Sequence, residues 1–213
     1  MDKHKKIMKR ILVVSAHPDD LEIGCSGTLQ KYAKEGATII SVVTVRPTVE
    51  VNKNRGAMTV KCELDDSYEQ SGWQLRVHNT DTHPNGRPNL QCNNNTMTAL
   101  AELIETTDIA ILPNPEDYHQ DHRNTYQLAL PLVRHCKEIW CQHAYPYSNF
   151  YTTVPNLLVD ISDQWRFKKK LLKCYPSYLK RDYINRIEQS NRSWGLQRDC
   201  KYAEAFSVIK RHA

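Results

Sequence analysis

Ile11-Leu12-Val13-Val14-Ser15-Ala16-His17-Pro18-Asp19-Asp20 joins a buried-type apolar run to a polar cluster. A continuous run of this kind reads as a strand covered on both faces, the pattern of a parallel sheet. A polar loop, Ser15 to Gly27, is expected next, followed by a helix over Thr28–Glu35 with Leu29, Tyr32 and Ala33 on one face. Gly36 suits the position just past that helix. A second apolar run, Thr38 to Val45, completes a β-α-β unit whose crossover should be right-handed.

Working outward, the alternation persists. Lys61 to Ser71 reads as helix, Trp73 to Val77 as a short strand and Asn79 to Asn95 as loop. Met97, Leu100, Ala101 and Ile104 recur at helical spacing, and Asp108 to Leu112 is a third strand, stopped by Pro113 and Pro115. A helix is expected from Asp121 to about Lys137, with a kink or a break at Pro131, then a strand at Ile139–Gln142. A strand at Leu157–Ile161, two basic helices separated near Pro176, and a short strand through Phe206–Ile209 close the chain. The fold class is α/β. We expect one Rossmann-like domain over residues 1–213, a mostly parallel sheet flanked by helices, with a basic helical C-terminal region.

Composition is that of an ordinary globular chain: 40% hydrophobic and 25% charged residues leave no room for extensive disorder. Seven cysteines without a C-x-x-C pair, and no apolar stretch of membrane-spanning length, predict a reduced, cytoplasmic protein. The net charge of +5 is uneven. Residues Tyr151 to Ala213 hold 13 Lys+Arg against 6 Asp+Glu. A solvated lysine-rich helix face is the simpler account, and attraction of an anionic partner the other. Against nucleic acid, the region lacks the interleaved aromatic and glycine pattern of RNA-binding strands. The oligomeric state, a homo-oligomer included, is left open.

Two polar clusters follow two of the buried strands. One is His17-Pro18-Asp19-Asp20; the other is His119-Gln120-Asp121-His122. Ligands of open parallel sheets bind beyond the carboxyl ends of the strands, so both clusters can face one crevice. Alone, each is an ordinary turn or helix start. Together they offer three imidazoles and three carboxylates, a donor set suited to Zn²⁺ and larger than one metal needs. The surplus suits hydrolysis, with a carboxylate as base and an imidazole for the developing oxyanion.

These residues resemble a known family. Ala16-His17-Pro18-Asp19-Asp20, continuing to Gly24, Gly27, Thr28 and Leu29, is similar to the AHPDD-x(3)-G-x-G-G-T-L signature of the PIG-L/LmbE-like zinc-dependent N-acetylglucosaminyl deacetylases. His119-Gln120-Asp121-His122-Arg123 resembles that family's H-P-D-H-R element, and Lys201 to Phe206 resembles a tail of bacterial members. The resemblance implies removal of an N-acetyl group from an amino sugar or sugar conjugate. It implies His17, Asp20 and His122 as ligands of zinc, with another divalent metal as the alternative. It implies Asp19 as general base, His119 as oxyanion stabiliser or acid, and Asp121 as the residue orienting His119. The substrate would be a small amino sugar, and the basic tail is compatible with a nucleotide or lipid phosphate carrier.

The departures are Ser26 for the first Gly of the G-G pair and Gln120 for Pro. The family's substrate-contacting Arg has no clear counterpart: Val60 or Lys61 stands near its place, Glu63 matches a nearby Glu, and Arg55 is a further candidate. Arg55 and Lys61 are the expected substrate-binding cations. His143 ends a strand near the crevice and reads more simply as a core or surface histidine, and Cys25 reads as packing. A metal-dependent esterase or amidase on a non-sugar acyl group is the rival function. A basic nucleic-acid-binding protein with a structural metal is the more remote one.

Overall fold

Along β1 (Arg10–Ser15), Ile11 and Val13 enter one apolar cluster while Leu12 and Val14 enter another. Successive side chains of a strand point to opposite faces, so an unbroken apolar run is what burial on both faces requires. The structure is a computed structural model and describes residues 8–45, 57–78, 90–144, 146, 153–177 and 179–211, with the backbone alone for 57–62.

After β1 come helices α1 (Asp20–Gly24) and α2 (Ser26–Lys34), β2 (Thr38–Val43), α3 (Ala57–Ser71), β3 (Gln74–Val77), α4 (Asn94–Ala101) and β4 (Ile109–Leu112). Then follow α5 (Gln120–Leu132), β5 (Glu138–Gln142), β6 (Leu157–Asp160), a 3-10 turn at Ser162–Gln164, α6 (Trp165–Leu172), α7 (Arg181–Gln197) and β7 (Ala203–Arg211). One seven-stranded sheet results, in the order β3-β2-β1-β4-β5-β7-β6. All neighbouring pairs from β3 to β5 are parallel; β7 runs antiparallel to both β5 and β6. The mostly parallel α/β sheet expected from the sequence is therefore present.

One face packs on α4 and α5 through Leu100, Leu128, Ala129 and Val133. The other is covered by α2 through Leu29, with Leu21 and Phe206 beside it. A third cluster joins α3, α6 and α7 around Leu64, Tyr175 and Ile187. β1 and β4 are adjacent, yet β1 leads to β2 on one side while β4 leads to β5 on the other. The crevice at their carboxyl ends is thus a topological switch point, where such sheets bind ligands.

Several boundaries differ from expectation. The Ser15–Gly27 loop contains α1, and α2 begins at Ser26. Short-range periodicity misses α1 because all five of its residues are buried, so no polar face marks it. Helix α5 stops at Leu132 instead of continuing to Lys137. Pro131 sits in its last turn and the helix ends one residue later, the break expected of a proline, which lacks the N–H that would continue the ladder. β7 is nine residues long because it pairs on both edges. Gly36 takes φ 94 after α2, as its place past the helix requires.

Helix α2 has no local side-chain cap at its N-terminus. Glu204 of β7 supplies it from across the fold, accepting the N–H groups of Gly27 at 3.0 Å and Thr28 at 2.7 Å. The Lys168 ammonium donates to Glu204 at 2.6 Å and to the Ile23 carbonyl at 2.7 Å, with both charged side chains fully buried. Gly24 is needed for close approach: a Cβ there would lie 2.1 Å from Gln142 Oε1.

Candidate metal centre

The loop after β1 and the loop between β4 and α5 meet at the switch point. Asp19 precedes α1 with φ 91, a left-handed conformation costly for a side-chain-bearing residue. Asp20 Oδ2 accepts the His17 backbone N–H at 2.8 Å. On the other side His119 caps α5, and His122 lies one turn further in, buried.

Three donor atoms converge. His17 Nδ1 lies 3.3 Å from His122 Nε2, His122 Nε2 lies 3.2 Å from Asp20 Oδ2, and His17 Nδ1 lies 3.6 Å from Asp20 Oδ2. The His119 ring stands 4.6 Å from His17 and 4.9 Å from His122, centroid to centroid. His17, His119 and His122 together form a group able to hold a metal ion.

The far nitrogens of both convergent imidazoles are taken. His122 Nδ1 lies 2.9 Å from Asp117 Oδ2, and His17 Nε2 lies 2.9 Å from Asp121 Oδ2. A carboxylate only accepts, so each of these nitrogens carries the proton. In the neutral rings that leaves lone pairs on His17 Nδ1 and His122 Nε2, the two atoms that face each other. Against the cost of burial, hydrogen bonds from Asp121 and Asp20 raise the His17 pKa to about 9. Asp20 and Asp117 raise His122 to about 10, again against burial. Asp20 is held well below the usual carboxylate range by His122 and His17, despite its burial. Burial and the neighbouring Asp20 charge push Asp19 well up.

His119 is arranged differently. Its Nδ1 accepts the Asp121 backbone N–H at 3.2 Å, so in the neutral ring Nε2 bears the proton. Burial and the two neighbouring imidazoles lower its pKa. This revises one expectation. The Asp121 carboxylate reaches His17, and the contact that turns His119 comes from the Asp121 main chain. His119 folds back over the first turn of the helix it caps, which leaves the Asp121 side chain to point across the crevice.

Two residues went unread in the sequence. Asp117 holds His122 with Oδ2 and accepts the His119 N–H with Oδ1 at 2.8 Å. The only hint was a carboxylate five residues ahead of His122, in a proline-framed loop. Asn114 organises that loop, accepting the Glu116 N–H at 2.9 Å and donating to Thr153 at 2.8 Å. His143 is buried at the same rim, with Nε2 2.8 Å from Ser207 Oγ, and burial lowers its pKa to about 4. Cys25 is buried, and burial raises its thiol pKa, as expected of packing. Glu63 accepts the backbone N–H and hydroxyl of Ser177. Arg55 and the Lys61 side chain lie outside the described residues.

The family pattern named PIG-L, GlcNAc-PI de-N-acetylase, matches residues 12–133, which include both polar clusters and the Asp117 loop. The chain belongs to the PIG-L family. Among PIG-L-type relatives, the uncharacterized deacetylase YaiS of Escherichia coli K12 is 31% identical over 144 residues, 62% of this chain and 71% of YaiS. A diacetylchitobiose deacetylase of Thermococcus kodakarensis is 24% identical over 227 aligned positions, 95% of this chain and 84% of its own. The same fold is seen in N,N'-diacetylchitobiose deacetylase from Pyrococcus horikoshii, with TM-score 0.77, 20% identity and 96% and 85% of the two chains covered. The fold is also that of a 4-carboxy-2-hydroxymuconate hydratase of Pseudomonas putida KT2440, with TM-score 0.76, 15% identity and 97% and 98% of the two chains covered. Fold alone thus leaves the reaction open, and the donor atoms of the site must carry the argument.

Proposed function

We propose that this PIG-L protein is a zinc-dependent N-deacetylase acting on an N-acetylated amino sugar or sugar conjugate. The observation that carries the proposal is the triangle of His17 Nδ1, His122 Nε2 and Asp20 Oδ2, with edges of 3.3, 3.2 and 3.6 Å. Tetrahedral zinc with N and O ligands at about 2.0–2.1 Å sets its ligand atoms roughly 3.3 Å apart, so the three atoms fit that ion. His119 fits less well as a ligand, because the network leaves a proton on its Nε2. Three protein ligands leave a position for reactants, as catalytic zinc sites do.

Bound there, zinc would supply Lewis acidity, acidifying a water and polarising the acyl carbonyl. Asp19 takes a proton from the attacking water as general base. The neutral His119 donates its Nε2–H to the oxygen that becomes negative as the acyl carbon turns tetrahedral. Asp19 then returns the proton to the amine as the C–N bond breaks, leaving acetate and a free amino sugar. Asp121 and Asp117 keep His17 and His122 turned correctly and make both better donors to the metal.

The acetylated-sugar substrate is supported by the family match and by the diacetylchitobiose deacetylase relative. Arg55 and Lys61 remain the proposed substrate-contacting cations, and the unpaired cysteines suit a reducing cytoplasm. Among the described residues no helix is long and apolar enough to cross a membrane. The test is acetate release from a panel of N-acetyl amino sugars, simple acyl esters and non-sugar amides, using zinc-loaded protein. Release from the sugars supports the proposal. Turnover of esters or non-sugar amides alone would replace it with the acyl-hydrolase reading.

A further inference from the structure

Away from the metal centre, the outer surface between α6 and α7 holds a cleft of about 420 Å³. Its wall is Arg166, Lys169 and Lys170 of α6 with Lys173 just past its end, and Glu188 and Tyr202 complete the lining. Helix α6 buries Trp165, Lys168, Leu171 and Leu172 against the body of the protein. Positions 166, 169, 170 and 173 share the opposite face at helical spacing, so four cations line one stripe.

The charges are poorly compensated. Glu188, the one acid of the cleft, already accepts from Lys169 at 3.0 Å, Arg192 at 3.0 Å and the Tyr202 hydroxyl at 2.9 Å. Arg166, Lys170 and Lys173 are exposed and have no ion pair among the described residues. Arg166 with Lys170 and Lys169 with Lys173 are like charges four residues apart on a helix, an arrangement that repels. Lys169 and Lys170 can be explained by the negative end of the helix dipole, but Arg166 stands in the first turn, against the positive end. A stripe that is unfavourable by itself becomes favourable when an anion fills the concavity beside it.

The floor is made by Trp165 and Tyr202, both buried and stacked on each other at 4.6 Å with 15° between their planes, and the Arg192 guanidinium lies 4.7 Å from the Tyr202 ring centre. Lysine stems add apolar wall below the charged tips. A cleft of this volume falls within the roughly 300–1,000 Å³ of small-molecule sites. Three uncompensated cations lining a concavity match a ligand with two or more linked phosphate groups. We propose that the α6–α7 cleft is a second ligand site, separate from the metal centre, that binds the polyphosphate group of a soluble small molecule. It does not depend on the deacetylase reading, because none of its residues belongs to the metal cluster.

Calorimetric titration of the full chain with ADP and with inorganic pyrophosphate tests this at low salt. One molecule of each should bind per chain. The double variant Arg166→Ala, Lys170→Ala should weaken both by about tenfold or more, since each loses charge-assisted hydrogen bonds to phosphate. A control with the same charge change at exposed positions, Lys34→Ala with Arg134→Ala, should bind as the unaltered protein does. Equal weakening in both doubles would overturn the site in favour of general charge attraction. Binding that survives the α6 double would place the phosphate at the metal centre and overturn it too. Binding only to phosphatidylglycerol vesicles, with neither soluble phosphate bound, would make the stripe a membrane-facing surface and sink the proposal.

Discussion

Asp117 Oδ2 stands 2.9 Å from His122 Nδ1, and the same carboxylate receives the His119 backbone N–H through Oδ1 at 2.8 Å. One side chain therefore sets the ring orientation of a proposed ligand and the main-chain position of the proposed oxyanion donor. Removing a carboxylate partner of a metal-bound histidine typically costs about 10–100-fold in metal affinity or activity. Asp117→Ala should lower zinc affinity by about that factor while the protein stays folded. Competition with a chromophoric chelator, alongside circular dichroism, checks it. Unchanged affinity would show that the His122 ring is held by packing alone.

Asp19 and His122 should separate cleanly on substitution. Asp19→Asn removes a base but no ligand, so zinc content should stay near one per chain while turnover falls by about 10²–10⁴-fold. His122→Ala should lose both zinc and turnover. Elemental analysis beside an acetate assay distinguishes the pair. Normal zinc in the His122 variant would reject that residue as a ligand.

The Lys168–Glu204 pair is buried on both sides and also caps α2. Deleting one partner strands the other charge away from water, at a cost of about 3–5 kcal/mol. Lys168→Ala should lower the urea-unfolding free energy by about that amount. A loss below about 1 kcal/mol, the range of a surface pair, would show that water enters the site on substitution.

His143 makes a pH prediction. Its pKa falls from 6.5 to about 4 on folding because burial disfavours the charged ring. Between those values the unfolded chain binds more protons, so this group's contribution is fully present above pH 6.5 and is lost as pH falls toward 4. The loss amounts to at most about 3 kcal/mol. His143→Gln cannot charge, so its stability should decline less than that of the unaltered protein between pH 7 and 5. Parallel urea titrations at the two pH values would reveal equal declines if the imidazole stays solvated.

Local sequence was enough where the signal is local. The Ile11–Val14 run is apolar throughout because both faces of β1 are covered, so it announces a central strand without help from the rest of the chain. His17, Asp19, Asp20, His119 and His122 were legible because each lies directly after a strand or at a helix start, and the parallel β1–β4 pairing brings those ends together. Tertiary structure alone decided which groups touch. Nothing in the spacing of Asp121 from His119 says that its carboxylate crosses to His17, 104 residues away. Nor does it say that Glu204 caps a helix 177 residues earlier, or that four cations along α6 and just past its end face one cleft. Residue type and periodicity set which face a side chain takes. Its partner is set by strand order and helix packing, which the whole chain determines at once.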